Sequence, residues 1–167
     1  VSLLQPSNGR AVVCFGDSIT DGYGTDADYL GKKPDSYTRW GDYFAKRLQA
    51  NPATRNISVI NEGIGSNSMM GSYPTDAGKD RFARDLLDHE GVGYCIVLFG
   101  VNDLDKLWNT NKYNELRPEY EKMVKLAHDN GIKIIFDAVF NHSGNDFFAF
   151  KDLIESQEKS LYKDWYF

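Results

Sequence analysis

Ser18 stands in GDSITDG, Gly16 to Gly22, directly after the apolar run AVVCF. A serine on a glycine-flanked turn at the end of a buried strand can be lifted to the rim of a sheet. There its hydroxyl could attack an acyl carbon. Two further stretches supply what such an attack needs. EGIGSNSMMG carries Gly63 and Gly65, which let a second backbone loop approach closely and aim N–H groups at a shared centre. VNDLDKLWN adds Asn102, a side-chain amide donor. A developing oxyanion needs two or three preorganised donors, each worth roughly 3–4 kcal/mol in the transition state. Taken singly, each stretch reads as an ordinary turn or cap. The signal is that all three occur in order, each after its own strand-like run.

Those runs define the positioning elements. Ala11–Phe15, Ile57–Asn61, Tyr94–Gly100 and Ile132–Phe140 read as strands. Helical patterns separate them. In Arg39–Ala50 the spacing puts Trp40, Tyr43, Phe44 and Leu48 on one face; in Asp76–Gly91 it turns Phe82, Leu86 and Leu87 inward, with Gly91 as the stop. Arg117–Gly131 has proline near its start and glycine just past its end. A further helix follows from about Asp146. Alternating strands and helices joined by right-handed crossovers predict an α/β fold, a three-layer sandwich around a parallel, flavodoxin-like sheet. Chemistry in such folds gathers beyond the C-terminal ends of the strands, where the three loops lie.

At 167 residues the chain reads as a single domain, 1–167, able to bury roughly 70% of its unfolded surface. A net charge of −5 argues against a nucleic-acid partner. No run approaches a membrane span, and VSLLQPSNGR does not read as a signal peptide, which leaves localisation open. Cys14 and Cys95 each sit in an apolar run and read as buried core thiols, too few for a zinc site. No metal or other cofactor is expected.

GDSITDG, NEGIGSN and VLFGVND resemble the first three conserved blocks of the SGNH (GDSL-like) hydrolases, small three-layer esterases and acylhydrolases. The resemblance runs from about Ala11 to Leu107, with 1–115 as the SGNH-like portion. It implies Ser18 as nucleophile, strand order 2-1-3-4, and oxyanion donors from the second-block loop and Asn102. The family usually has glycine where this chain has Ser66, so Gly65 and Ser66 are alternatives for the second donor. A small ester is the implied ligand.

After the last strand the likeness changes. DAVFNH and the trailing FFAFKD and YKDWYF resemble a barrel fragment of the α-amylase family, especially neopullulanases and cyclomaltodextrinases, over roughly Gly131–Phe167. The amylase-like portion is taken as 116–167, with a splice near 110–131. This likeness implies a structural or near-metal place for Asp137 and Asn141 and a sugar contact for His142. Glycosidase chemistry needs two carboxylates across the scissile bond, and the strands that carry them in that family are absent here, so no glycosidase activity is expected. Two such fragments in one domain-sized chain imply an engineered chimera without efficient catalysis. The alternative is a weak serine ester hydrolase.

The missing part is the base. SGNH hydrolases place it in a C-terminal Asp-x-x-His block, and this sequence contains no Asp-x-x-His. Of three histidines, His89 and His128 fall near helix ends that return to the far side of the sheet from Ser18. His142 follows the fourth strand on the correct side. With that strand two places from the first, the gap is about 10 Å before the loop bends. The SGNH resemblance also implies a fifth strand that this sequence does not supply. The fourth would then be an apolar edge, and a homodimer through it or through the aromatic C-terminal segment is expected.

Overall fold

A computed structural model describes residues 9–25, 36–71, 74–103, 113–136 and 147–165. The chain forms two compact units, Val1–Asp137 and Ala138–Phe167.

In the first unit four strands form one parallel sheet. They are β1 (Arg10–Gly16), β2 (Ile57–Gly63), β3 (Val92–Leu98) and β4 (Lys133–Phe136), in the order β2-β1-β3-β4. This is the order expected from sequence. β1 is paired on both sides and buried from Ala11 to Gly16, which explains why it reads as an unbroken apolar run rather than an alternation. Strand faces are set by the period of two. Val13, Phe15, Cys95 and Val97 point to one side. There they pack with Phe82 and Leu86 of α3 (Gly78–Leu87) and with Met123 and Ala127 of α4 (Tyr113–Asp129). Ile96 points to the other side and lines a groove with Trp40, Tyr43, Phe44 and Arg47 of α2 (Trp40–Ala50). Helices therefore cover both faces, and the core lies mainly between the sheet and the α3–α4 layer.

Four local expectations change. Tyr43 is exposed, with Lys46 Nζ 5.1 Å from its ring centroid, because α2 turns a narrower stripe to the sheet than its aromatics alone predict. Leu87 is exposed as well: Phe82 and Leu86, four residues apart, take the inward stripe of α3 and leave the next residue outside it. α3 ends at Leu87, and Gly91, at φ +77°, makes the turn into β3 instead of stopping the helix. α4 starts at Tyr113, so Pro118 lies inside the helix and removes the bond that would run to the carbonyl of Asn114.

In the second unit α5 (Phe148–Ser156) is followed by two 3-10 turns, Gln157–Lys159 and Lys163–Trp165. The Asp152 carboxylate accepts from the hydroxyls of Ser156 (3.3 Å) and Ser160 (2.6 Å), which folds the turns back on the helix. The Phe148 ring meets Phe147 and Tyr162 at 4.7 and 5.3 Å between centroids. No described helix is long and apolar enough to cross a membrane.

Candidate active site

The site is assembled at the C-terminal ends of β1, β2 and β3. β1 ends at Gly16, and Asp17 caps a single turn of helix, α1 (Ser18–Asp21), by accepting from Ile19 N through Oδ1 at 2.9 Å. Ser18 is its first residue and is half-buried. Gly22 closes the turn at φ +101°, and its N–H donates to the Ser18 carbonyl.

The second loop is packed tightly onto this turn. Asn61 Nδ2 donates to Thr20 O at 2.8 Å, and Ile64 N donates to Gly16 O at 3.1 Å. A Cβ on Gly63 would stand 2.5 Å from the carbonyl carbon of Thr20 and closer still to Asp21 N. Glycine is therefore required there to let two backbones meet. Gly65 and Ser66 follow, both exposed. Ser66 has φ +60°, the left-handed region where a Cβ is unfavourable.

The third loop closes the cluster. Val101–Asp103 are helical after β3. Asn102 is half-buried, and its Nδ2 donates to Asn67 O at 2.7 Å. One hydrogen of that amide is therefore committed to the second loop, and among the described residues the other has no partner. Asp103 is buried, and its two oxygens accept from Met69 N and Met70 N, each at 2.9 Å. Asp17 is buried near Asp103; among the described residues its Oδ2 has no partner. Burial first, and then the Asp103 charge, hold the Asp17 carboxyl above its ordinary range.

His142, Asp137 and Asn141 lie outside the described residues. His89 is paired with Glu62, Nε2 to Oε1 2.8 Å, and His128 lines a groove on α4 beside Phe136. Among the described residues no cluster of His, Cys, Asp and Glu could hold a metal ion. Cys14 and Cys95 are free and buried, and burial pushes both thiols up to about 12. Sequence reasoning missed two groups that build the site, Asp103 and the fully buried Arg81. Arg81 donates through Nη2 to Gly16 O and through Nη1 to Glu62 O, both at 3.0 Å. Its signal was present: Arg81 and Asp85 sit next to Phe82 and Leu86 on the buried stripe of α3, four residues apart.

A profile of the GDSL-like Lipase/Acylhydrolase family matches residues 14–160, which includes all three loops. The chain belongs to this family. Its fold is like that of AlinE4, an SGNH-hydrolase family esterase, with a TM-score of 0.59 at 22% identity over 79% of this chain and 60% of that one. A second likeness runs to amylases. The chain is 48% identical over 90 residues to a cyclomaltodextrinase of Thermoanaerobacter pseudethanolicus, covering 49% of this chain and 16% of that enzyme. It is 56% identical over 50 residues to neopullulanase 2 of Thermoactinomyces vulgaris, covering 30% of this chain and 8% of that enzyme. The chain thus spans a small fraction of these curated relatives. The amylase likeness, at half the chain, is wider than the Gly131–Phe167 expected from sequence. The family profile in turn runs to residue 160, across the stretch that reads as amylase-like.

Proposed function

We propose that the chain is a serine hydrolase of carboxylic esters. The observation that carries this reading is the bonding of three loops, each from its own strand end, around the half-buried Ser18. In this reading Ser18 Oγ attacks the ester carbonyl carbon. Its proton passes to His142, the base that sequence puts on the correct side of the sheet. The negative charge that forms on the carbonyl oxygen is met by the Asn102 amide and by the backbone N–H of Gly65 or Ser66. Collapse expels the alcohol, which takes the proton back from the imidazolium. Water then repeats the sequence on the acyl-serine and regenerates Ser18.

Hydrolysis of a short-chain p-nitrophenyl ester tests the reading. Ser18→Ala should abolish the rate above background. Asn102→Ala should lower kcat about 100-fold, the usual cost of one oxyanion donor. The Ser18-dependent rate should rise through the histidine range, near pH 6.5, and His142→Ala should remove that rise. A rate that survives Ser18→Ala and climbs only with hydroxide overturns the proposal. It would leave the second reading, an engineered composite without efficient catalysis, which the 48% identity to an amylase segment favours. Release of reducing sugar from a cyclomaltodextrin by the same preparation would instead place the activity with the amylase likeness.

A further inference from the structure

Arg81 is charged and wholly buried, yet it sits in the middle of the α3 face that packs on the sheet. Its guanidinium carbon lies 4.2 Å from the ring centroid of Phe15 and 5.8 Å from that of Phe99. Its donors are spread over four partners. Nη2 reaches Gly16 O at 3.0 Å, Nη1 reaches Glu62 O at 3.0 Å and Asp85 Oδ2 at 2.6 Å, and Nε reaches Asn67 Oδ1 at 3.2 Å. Gly16 is the last residue of β1, two before Ser18, and its carbonyl also accepts from Ile64 N. Glu62 and Asn67 bracket the Gly65–Ser66 turn. Asn67 is held on its other side by Asp76 O and Thr75 Oγ1, and its carbonyl receives the Asn102 amide. One side chain is thus in contact with the root of the nucleophile turn and both ends of the second loop. Through Asn67 it also reaches the third-loop donor.

A buried ion pair is a poor source of stability, since desolvation offsets most of its attraction. What a guanidinium supplies is a planar fork that fixes several acceptors at once, which a lysine cannot reproduce. Oxyanion donors are effective only when they are already aimed at the site where charge develops, and displacements of about 1 Å are costly in rate. We propose that Arg81 is the positioning residue of this site. It ties the end of β1 to the loop after β2, so that Ser18 and the Gly65–Ser66 amides keep one geometry during acyl transfer. The proposal rests on the ester hydrolase reading above.

Two variants test it. Arg81→Lys keeps the charge and loses the fork. Arg81→Met with Asp85→Leu removes both charges and leaves no carboxylate buried alone. Each is measured for p-nitrophenyl ester hydrolysis and for amide hydrogen exchange. The expected result is a fall in kcat of at least tenfold with KM within about twofold. The amides of Ile64, Asn67, Met69 and Met70 should exchange at least tenfold faster, while those of Val13, Cys95 and Val97 keep their protection. Wild-type kcat with unchanged exchange overturns the proposal. So does a loss of protection spread evenly over loops and strands, which marks a general structural role, and so does an effect confined to KM. If the parent's hydrolysis proves insensitive to Ser18→Ala, the esterase reading fails on its own, and the exchange pattern alone then decides whether Arg81 joins the loops. Should the double variant not fold, Arg81→Lys carries both measurements.

Discussion

Ser66→Gly should stabilise the protein, an unusual direction for a point substitution. Ser66 holds φ +60°, is exposed, and makes no side-chain hydrogen bond among the described residues. A non-glycine residue in the left-handed region costs about 1–2 kcal/mol. Removing the Cβ recovers that amount. Glycine also loosens the unfolded chain, at a cost of about 0.4–1 kcal/mol. The balance is a gain of about 0.5–1 kcal/mol. For a chain of this size each kcal/mol moves Tm by about 2–4 °C. Urea unfolding followed by circular dichroism should show a higher midpoint with an unchanged slope. Ser66→Ala is the control: it keeps the Cβ and the backbone strain, so its midpoint should stay within about 0.5 kcal/mol of wild type. If glycine brings no gain, or alanine brings the same gain, the backbone of this loop is not strained as described. The same exchange takes away the Cβ beside the proposed oxyanion donors, so Ser18-dependent hydrolysis should rise as well.

Asp17→Asn should gain on wild type as pH increases. A carboxyl whose folded value is raised is neutral and unpenalised below its unfolded value, about 3.9, and costs stability as pH climbs through the folded value; asparagine keeps an oxygen for Ile19 N and never ionises. Urea midpoints at pH 4 and pH 7 should therefore diverge in favour of the variant, and a constant gap refutes the argument. Cys14 and Cys95, with thiols held near 12, should be inert to a thiol reagent at pH 8 in the folded protein and both react in urea; rapid native labelling would contradict their burial. β4 is a described edge whose Ile135 and Phe136 are 49% and 48% exposed, and we propose that it pairs with a second copy. Light scattering at micromolar concentration should give about twice the mass of one chain, reduced to one by Ile135→Lys with Phe136→Lys, while a single-chain mass for the parent defeats the proposal.

The sheet was legible because its strands are unbroken apolar runs separated by helices with clear stripes. β1, β2 and β3 follow from that pattern, and their order from the resemblance to the SGNH hydrolases. The limits of α2 and α3 were less legible. Which aromatic or leucine turns inward depends on the angle at which a helix lies on the sheet, and sequence spacing does not specify it. Tyr43 and Leu87 are the result. The positions of Ser18 and Asn102 at strand ends could be read from the order of the three loops. Arg81 carried a weaker signal, its place beside Phe82 on the inward stripe of α3. A charged residue in an amphipathic helix is assigned to solvent, and only its acceptors, residues distant in sequence, make its burial tolerable.

The bonds described above that join the three loops run between Gly16 and Asp103. The arrangement is therefore inheritable as a block. A recombination event downstream can exchange later segments while these bonds between the loops are passed on. Selection acting on such a chain could vary its later segments without first having to rebuild the packing of these three loops.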